Sequence, residues 1–409
     1  MTSQRMPGGR SGVRQASLRS QNLALVLGEI YEATRPTTRA RVAAALDITR
    51  ATASDLVERL VDADLVDELA PEAATTPGRP GVVVAPSSDG VAALGLEIQV
   101  DHLTAQVLAL DGTVLGRAQA PGDHRDSDPR RVTRELARLA GRALETLPTR
   151  TRLLGACVSV PALLRSGGSV VQLAPNLGWT DVDLAALLDR QAPLTGIRVE
   201  VGNDADLSAL AETRARSRAD GSPRGEQSFL YLAGEVGIGG AVVIGGETTR
   251  GRHGWSGEIG HVVVDRSGPR CACGATGCLE QYAGLDVIRR RAGLGLGATP
   301  ADLLTRVPRG VRAGRALGWA AEAIGVAVAS TLNIVDVDRV VLGGVYAELF
   351  DHLAAGIEAE VAQRVLAARW APVAVERAVA GPGSAVTGAA LRVLERVVAD
   401  PASFIEAGA

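Results

Sequence analysis

His261, Cys271, Cys273 and Cys278 are spaced H-x9-C-x-C-x4-C, and nothing else in the chain restricts its folding as much as bringing these four side chains together. One imidazole and three thiolates complete the tetrahedral ligand set of zinc, and Gly274 and Gly277 supply the tight turns that let closely spaced sulfurs converge. Four protein ligands leave no position open for water, so the pattern reads as a structural rather than a catalytic zinc. The alternative is a pair of buried thiols beside an unrelated histidine. It must explain why three of only four cysteines crowd between positions 271 and 278. The fourth, Cys157 in L-L-G-A-C-V-S-V, reads as a core thiol in a reducing compartment.

A chain of 409 residues is too long for one ordinary core and predicts two or three domains. Its net charge of -3 exerts no global pull on nucleic acid, although a mean can hide a basic segment. No apolar run is long enough to span a membrane, and no hydrophobic segment follows the N-terminal arginines. These observations predict a soluble, cytoplasmic protein without a membrane partner.

The basic segment lies at the start. Residues 1–60 hold nine arginines against five acids. Residues 1–14 are rich in Gly, Ser and Arg without periodicity and predict a disordered arm, followed by a module over 15–86. From Ser20, the residues Leu23, Val26, Leu27, Ile30 and Tyr31 recur at helical spacing up to Pro36. A second helix starts after Thr37 or Thr38 and turns Val42, Ala45 and Leu46 inward. After D-I-T, Thr49 caps a third helix from Arg50 to about Ala63, with Leu56, Val57, Leu60 and Val61 on its buried face. That layout is a helix-turn-helix with Arg50, Thr52 and Ser54 at the exposed start of its second helix, next to Arg39 and Thr49. Two strand candidates, L-V-D-E-L and G-V-V-V-A-P, flank T-T-P-G-R-P-G and form a wing with Arg79 at its tip, suited to a DNA phosphate or the minor groove. A small helical interaction domain with a solvated face is the competing reading.

Beyond a linker at Pro86–Gly90, a three-strand meander, a helix from about Pro129 to Leu147 and the strand around Cys157 open an α/β lobe over 91–203. A further strand delivers Asn203 and Asp204 to the head of a helix, the usual place for ligand contact in an α/β sheet. Either residue alone could equally be a helix cap. The glycine run G-E-V-G-I-G-G-A follows in a second lobe over 204–383. Late apolar helices at about 313–331 and 347–366 form either an oligomer face or buried core.

Taken together, G-I-G-G-A, G-E-I-G-H, C-x-C-G-x-x-G-C-x-E, N-D-A-D, P-N-L-G-W and V-V-L-G-G resemble the ROK family of bacterial sugar kinases and sugar-responsive repressors. The resemblance spans about residues 20–400, and a winged module with a G-R-P-G wing marks the repressor branch. It implies an α/β fold of two actin-like lobes, related to ribonuclease H-like ATPases, behind a winged helix-turn-helix, with the last helix (about 384–399) packing back on the first lobe. It also implies sugar contacts at Asn176, Asn203, Asp204, Glu258, His261 and Glu280, with His261 shared between zinc and sugar. Asp204 stands where family kinases place their catalytic base. The family's first phosphate turn, D-x-G-G-T, is here Glu97, Ile98, Gln99, Val100 and Asp101, and Glu235 with Val236 precedes Gly237 where kinases have G-T-G. A unit negative charge about 4 Å from a phosphate costs roughly 4 kcal/mol at an effective dielectric of 20, which argues against ATP. The resemblance therefore implies a homodimeric or homotetrameric repressor that binds operator DNA and a sugar or sugar phosphate, with a sugar kinase or a sensor of a protein partner as alternatives.

Overall fold

Apolar side chains at three- and four-residue intervals wind the N-terminal segment into α1 (Gly9–Glu32). The computed structural model describes residues 9–70, 82–165, 168–309 and 311–408, and in it Leu23, Val26, Leu27, Ile30 and Tyr31 are all buried. Residues 9–14 of the expected arm are helical, because lengthening a helix needs no new nucleus. Residues 1–8 lie outside the described residues. After β1 (Thr37–Thr38), Thr38 caps α2 (Arg39–Ala45), and Asp47 turns the chain with a φ of 51°. Thr49 then caps α3 (Arg50–Asp62) by accepting the Thr52 N–H at 3.1 Å. Val42 and Ala43 face the core. Ala45, expected inward, is exposed because α2 ends there and its period goes no further. β2 (Val66–Leu69) and β3 (Val83–Pro86) pair antiparallel as the flanks of the wing, and β1 joins β3 as a third strand too short to show a pattern. Arg79 lies outside the described residues.

The linker is a fixed junction. Ser87 is buried, its hydroxyl accepts the Gly90 N–H at 3.0 Å, and its own N–H reaches Leu65 O at 3.0 Å. Ser88 N–H donates to Asp67 Oδ2 at 2.9 Å, so a Ser/Gly composition that reads as flexible is tied down by its own hydroxyls.

The first lobe runs β4 (Val91–Ile98), β5 (His102–Ala109), β6 (Val114–Pro121), α4 (Pro129–Leu144) and β7 (Arg152–Val160). A small separate sheet follows, β8 (Leu163–Leu164), β9 (Val170–Ala174) and β10 (Trp179–Asp183), then α5 (Leu184–Asp189) and β11 (Val199–Asn203). The main sheet has the order β11-β7-β4-β5-β6, an antiparallel meander extended by parallel strands. α6 (Asp204–Asp220) crosses to the second lobe, which starts with β12 (Phe229–Gly234), β13 (Ile238–Ile244) and β14 (Glu247–Thr248). The metal-motif loop leads into α7 (Glu280–Ala283), α8 (Leu285–Ala292), α9 (Pro300–Arg306) and α10 (Val311–Leu332). β15 (Arg339–Gly344), α11 (Val345–Glu348), α12 (Phe350–Arg364) and β16 (Ala374–Arg377) complete a sheet ordered β14-β13-β12-β15-β16. The two sheets repeat one plan, as two actin-like lobes do. The inner faces of α10 and α12 fill the second lobe's core with Ile324, Val328, Ile357 and Val361, while Trp319 and Ile334 stay exposed.

α13 (Ser384–Ala399) returns to the first lobe and α14 (Pro401–Gly408) ends the described chain. Gly95 of β4 and Gly388 of α13 have no room for a side chain, since a Cβ would overlap the carbonyls of Val386 and Leu207 respectively. α13 therefore lies at backbone contact with both β4 and α6. Leu23, Leu27 and Ile30 of α1 share one apolar cluster with Ala93, Leu108, Leu391 and Leu394, so the N-terminal module and the first lobe have a common core. No helix among the described residues is long and apolar enough to cross a membrane.

Candidate ligand site, metal cluster and DNA-facing surface

The strand-to-helix step from β11 to α6 fixes the first two polar groups. Asn203 caps α6, its Oδ1 accepting the N–H groups of Ala205 at 2.9 Å and Asp206 at 3.1 Å, while its Nδ2 donates to Ala162 O at 3.3 Å. The cap reading is thus realised, and one amide N–H remains for a ligand. Asp204 follows, its Oδ2 accepting from Gln99 Nε2 at 3.2 Å, and burial pushes its carboxyl above the usual range against that bond. Glu280, at the head of α7, accepts the Ile238 N–H at 3.3 Å. A Cβ on Gly237 would lie 2.6 Å from Glu280 Oε2 and 2.7 Å from Asn176 Nδ2, so a bare glycine holds these two polar groups on either side of one spot. Glu258 completes the ring of acids, pushed up to about 7 first by desolvation and then by the charges of Asp204, Asp206 and Glu280.

All six residues expected to face a sugar line one cavity of about 360 Å³ between the lobes. Its rim adds Gln99 and Glu235, which sequence reasoning read only as damage to a phosphate turn. The signal that could have found Gln99 is its place two residues past Glu97 at the end of β4, facing the head of α6.

His261 and Cys273 also line that cavity, and both belong to the metal motif. The ligand atoms of His261, Cys271, Cys273 and Cys278 all lie within 4.8 Å of one another. Cys271 Sγ is 3.8 Å from His261 Nδ1, and Cys273 Sγ is 3.7 Å from Cys278 Sγ. Tetrahedral Zn–S bonds of 2.3 Å separate two sulfurs by about 3.8 Å, so the donor set can hold a metal ion of that kind. Gly274 and Gly277 sit at φ 96° and 77°, and a Cβ on Gly277 would overlap Asp265 O, which leaves glycine as the residue that fits this turn. The imidazole faces Cys271 through Nδ1.

The first phosphate turn is filled from within. His102 Nδ1 sits 2.7 Å from Asp101 Oδ1 and its Nε2 3.6 Å from Glu97 Oε2. Burial alone would lower its pKa, but bonds and charges from both acids outweigh it and raise the imidazole to about 10. Glu235, fully desolvated beside Glu97 and Asp101, is raised to about 8. The sequence-based picture of two bare negative charges is thereby corrected, because a protonated His102 neutralises part of Asp101 and Glu235 holds its proton at neutral pH.

In the N-terminal module Arg50 is exposed and its guanidinium makes no hydrogen bond or ion pair among the described residues. The exposed Thr52 hydroxyl lies 2.9 Å from Thr49 Oγ1, which also caps α3, and Ser54 is half-buried. Arg39 is tied to Glu68 of β2 at 2.6 Å, unlike the free guanidinium of Arg50.

A buried arginine ties the module to the cleft helix. Arg214 of α6 is buried, donates to Tyr31 O, pairs with Glu32 Oε2 at 2.7 Å and stacks 3.7 Å above the Tyr31 ring. The ten residues from Asp204 to Arg214 span about 15 Å of helix.

Residues 93–396 match the profile of the ROK family. The chain is 27% identical over 353 residues to the xylose repressor of Caldicellulosiruptor bescii, covering 81% of this chain and 86% of that protein. It is 34% identical over 265 residues to the kanosamine kinase of Amycolatopsis mediterranei, covering 62% of this chain and 82% of the kinase. The crystal structure of a ROK family transcriptional regulator, a homologue of the E. coli MLC protein, superposes with a TM-score of 0.73 at 22% identity, covering 94% of this chain and 97% of that one. With most of its length inside that profile, the chain belongs to the ROK family.

Proposed function

We propose that this protein is a sugar-responsive transcriptional regulator. Its winged helix-turn-helix (15–86) grips an operator as a repressor, and its body (91–203, 204–383 and the helix 384–399) takes an aldose or its phosphate into the cleft. One observation carries the reading: α6 presents Asp204 to the cleft at one end and clamps α1 through Arg214 further along. Sugar hydroxyls donate to Asp204, Glu258 and Glu280, and the free N–H groups of Asn176 and Asn203 donate to hydroxyl oxygens. Each charged bond is worth about 1.5–3 kcal/mol, enough to select one stereochemistry. Held by His261, Cys271, Cys273 and Cys278, a zinc ion would cross-link the loop between Glu258 and Glu280 and set the His261 tautomer. Sugar closes the cleft and shifts the lobes relative to the DNA-binding module, and operator affinity changes by the ratio of sugar affinities for the open and closed states. The xylose repressor among its relatives makes D-xylose the first aldose to try. A gel shift on DNA upstream of the protein's own coding region, with and without aldoses, tests the proposal, and DNA binding indifferent to every sugar overturns it.

A kinase reading draws on Asp204, whose raised carboxyl suits a general base, and on the kanosamine kinase likeness. Against it stand the Gln99 bond to Asp204 and the Glu97–His102–Asp101 network in the phosphate turn. We expect no ADP release from a hexose panel. Turnover of about 1 s⁻¹ or more, the low end of ordinary enzymes, would reverse that conclusion.

A further inference from the structure

Beyond Asn203, on the outer edge of β11, lies a second and larger cavity of about 670 Å³. Its walls carry Arg165, Arg198, Arg250, Arg252, Arg392 and Arg396 against two carboxylates, Glu200 and Asp206. Six guanidinium groups around one hollow are unusual in a chain with a net charge of -3. They come from three directions: the hairpin and strand edge of the first lobe, the loop after β14 in the second lobe, and the last turns of α13.

Some of these charges are already answered. Arg165 pairs with Asp181 at 2.7 Å, and Arg198 and Arg396 share Glu200. The guanidinium groups of Arg250, Arg252 and Arg392 have neither a hydrogen bond nor an ion pair among the described residues, and Arg392 is half-buried. Asp206 lies close enough to feel Arg392, yet burial holds its carboxyl up at about 6, so at lower pH it does not balance that arginine. Guanidinium groups stay protonated at every relevant pH, and their planar forks match the paired oxygens of a phosphate.

We propose that this cavity binds a phosphate-class oxyanion, held by Arg250 and Arg252 from the second lobe and by Arg392 from α13. The anion is either the phosphate of a sugar whose ring lies in the neighbouring cleft or free phosphate. Asn203 borders both cavities, which permits the first source. The site is wired to the cleft by one segment. Arg250 and Arg252 lie on the stretch that continues through Trp255, whose Nε1 donates to Leu164 O at 2.6 Å across the lobes, to Glu258 of the cleft. An anion that pins this stretch pre-orders Glu258 and tightens sugar binding, and sugar tightens the anion equally. This coupling rests on the sugar reading above, whereas anion binding itself does not.

The test uses the full chain at constant ionic strength, with melting temperature and calorimetry as readouts. The probes are inorganic phosphate, glucose 6-phosphate, and glucose with a panel of neutral aldoses. The variants are Arg250→Gln/Arg252→Gln, Arg392→Gln and Glu258→Gln. The proposal expects phosphate to raise the melting temperature of the wild type. It also expects at least a ten-fold loss of phosphate affinity in the Arg250→Gln/Arg252→Gln protein, which changes only exposed side chains, and retention in Glu258→Gln. A sugar phosphate that binds at least ten-fold tighter than both its parent sugar and free phosphate identifies the bridging source. Equal affinities for sugar phosphate and free phosphate identify the free anion. Phosphate that protects wild type and the double variant alike overturns the proposal. Phosphate binding with no response to any neutral aldose, and with the sugar phosphate binding no tighter than free phosphate, keeps the anion site and removes the sugar reading instead.

Discussion

Gly237→Ala tests the cleft without replacing any residue that would contact the sugar. The new methyl would lie 2.6 Å from Glu280 Oε2 and 2.7 Å from Asn176 Nδ2. Ordinary contact begins near 3.4 Å, so both polar ends must retreat by about 0.7–0.8 Å, which is enough to spoil hydrogen bonds whose distances vary by only a few tenths. One charged bond and one neutral bond together amount to about 2–4.5 kcal/mol, a loss of roughly thirty-fold to two thousand-fold in sugar affinity. The displaced atoms are side-chain ends rather than backbone, so folding should lose less than about 1 kcal/mol. Calorimetry with whichever aldose the wild type binds, beside a melting curve and a gel shift without sugar, reads all three quantities. Sugar affinity within two-fold of wild type in a normally folded Gly237→Ala protein would refute the placement of Asn176 and Glu280 as sugar contacts.

Cys278→Ser, or prolonged chelation, should remove one zinc per chain by elemental analysis and abolish sugar binding before it abolishes folding of the N-terminal module. Arg214→Met keeps the buried volume but loses the pair with Glu32 and the stack on Tyr31. It should cost about 1–3 kcal/mol of stability and leave a protein that binds sugar and DNA without one affecting the other in a gel shift. Arg50→Ala should weaken operator binding, lower the salt slope by about 1 and spare sugar binding in calorimetry. Glu235 has its pKa raised from 4.5 to about 8, so the folded state holds that proton more tightly than the unfolded chain. Its share of stability therefore falls as pH rises from about 4.5 to about 8 and is flat above. Glu235→Gln should show a shallower decline of melting temperature over that range, and parallel curves would contradict the assignment.

The parts that were legible in the sequence are those written in short-range periodicity or fixed spacing. Leu23 to Tyr31 announce α1 by their intervals, Thr49 announces the start of α3 by its chemistry, and the cysteine spacing brings His261 within reach of three sulfurs. Long-range partnership was not legible. The strands β1 and β8 are two residues each, and their existence depends on neighbours far along the chain. Pro86–Gly90 has a flexible composition, yet partners at Leu65, Asp67 and Asp111 hold it still. The acids of the phosphate turn could be read as an obstacle to ATP. That His102 would fold back between two of them could not, because its hydrogen bond to Asp101 comes from a one-residue neighbour while its ion pair with Glu97 comes from the adjacent strand.

The core shared by α1, β4, β5 and α13 bears on how such proteins can be recombined. A chimera that joins a foreign winged helix to this body at the Ser87 junction would strip cover from Ala93, Leu108 and Leu391 and would strand Arg214 without Tyr31. Grafts that also carry matching faces of α13 and α14 should stay soluble, while those cut at the obvious boundary should aggregate. The reader of DNA is thus inherited together with the lobe beneath it, and a change of operator specificity is more easily reached by altering α3 in place than by exchanging the module.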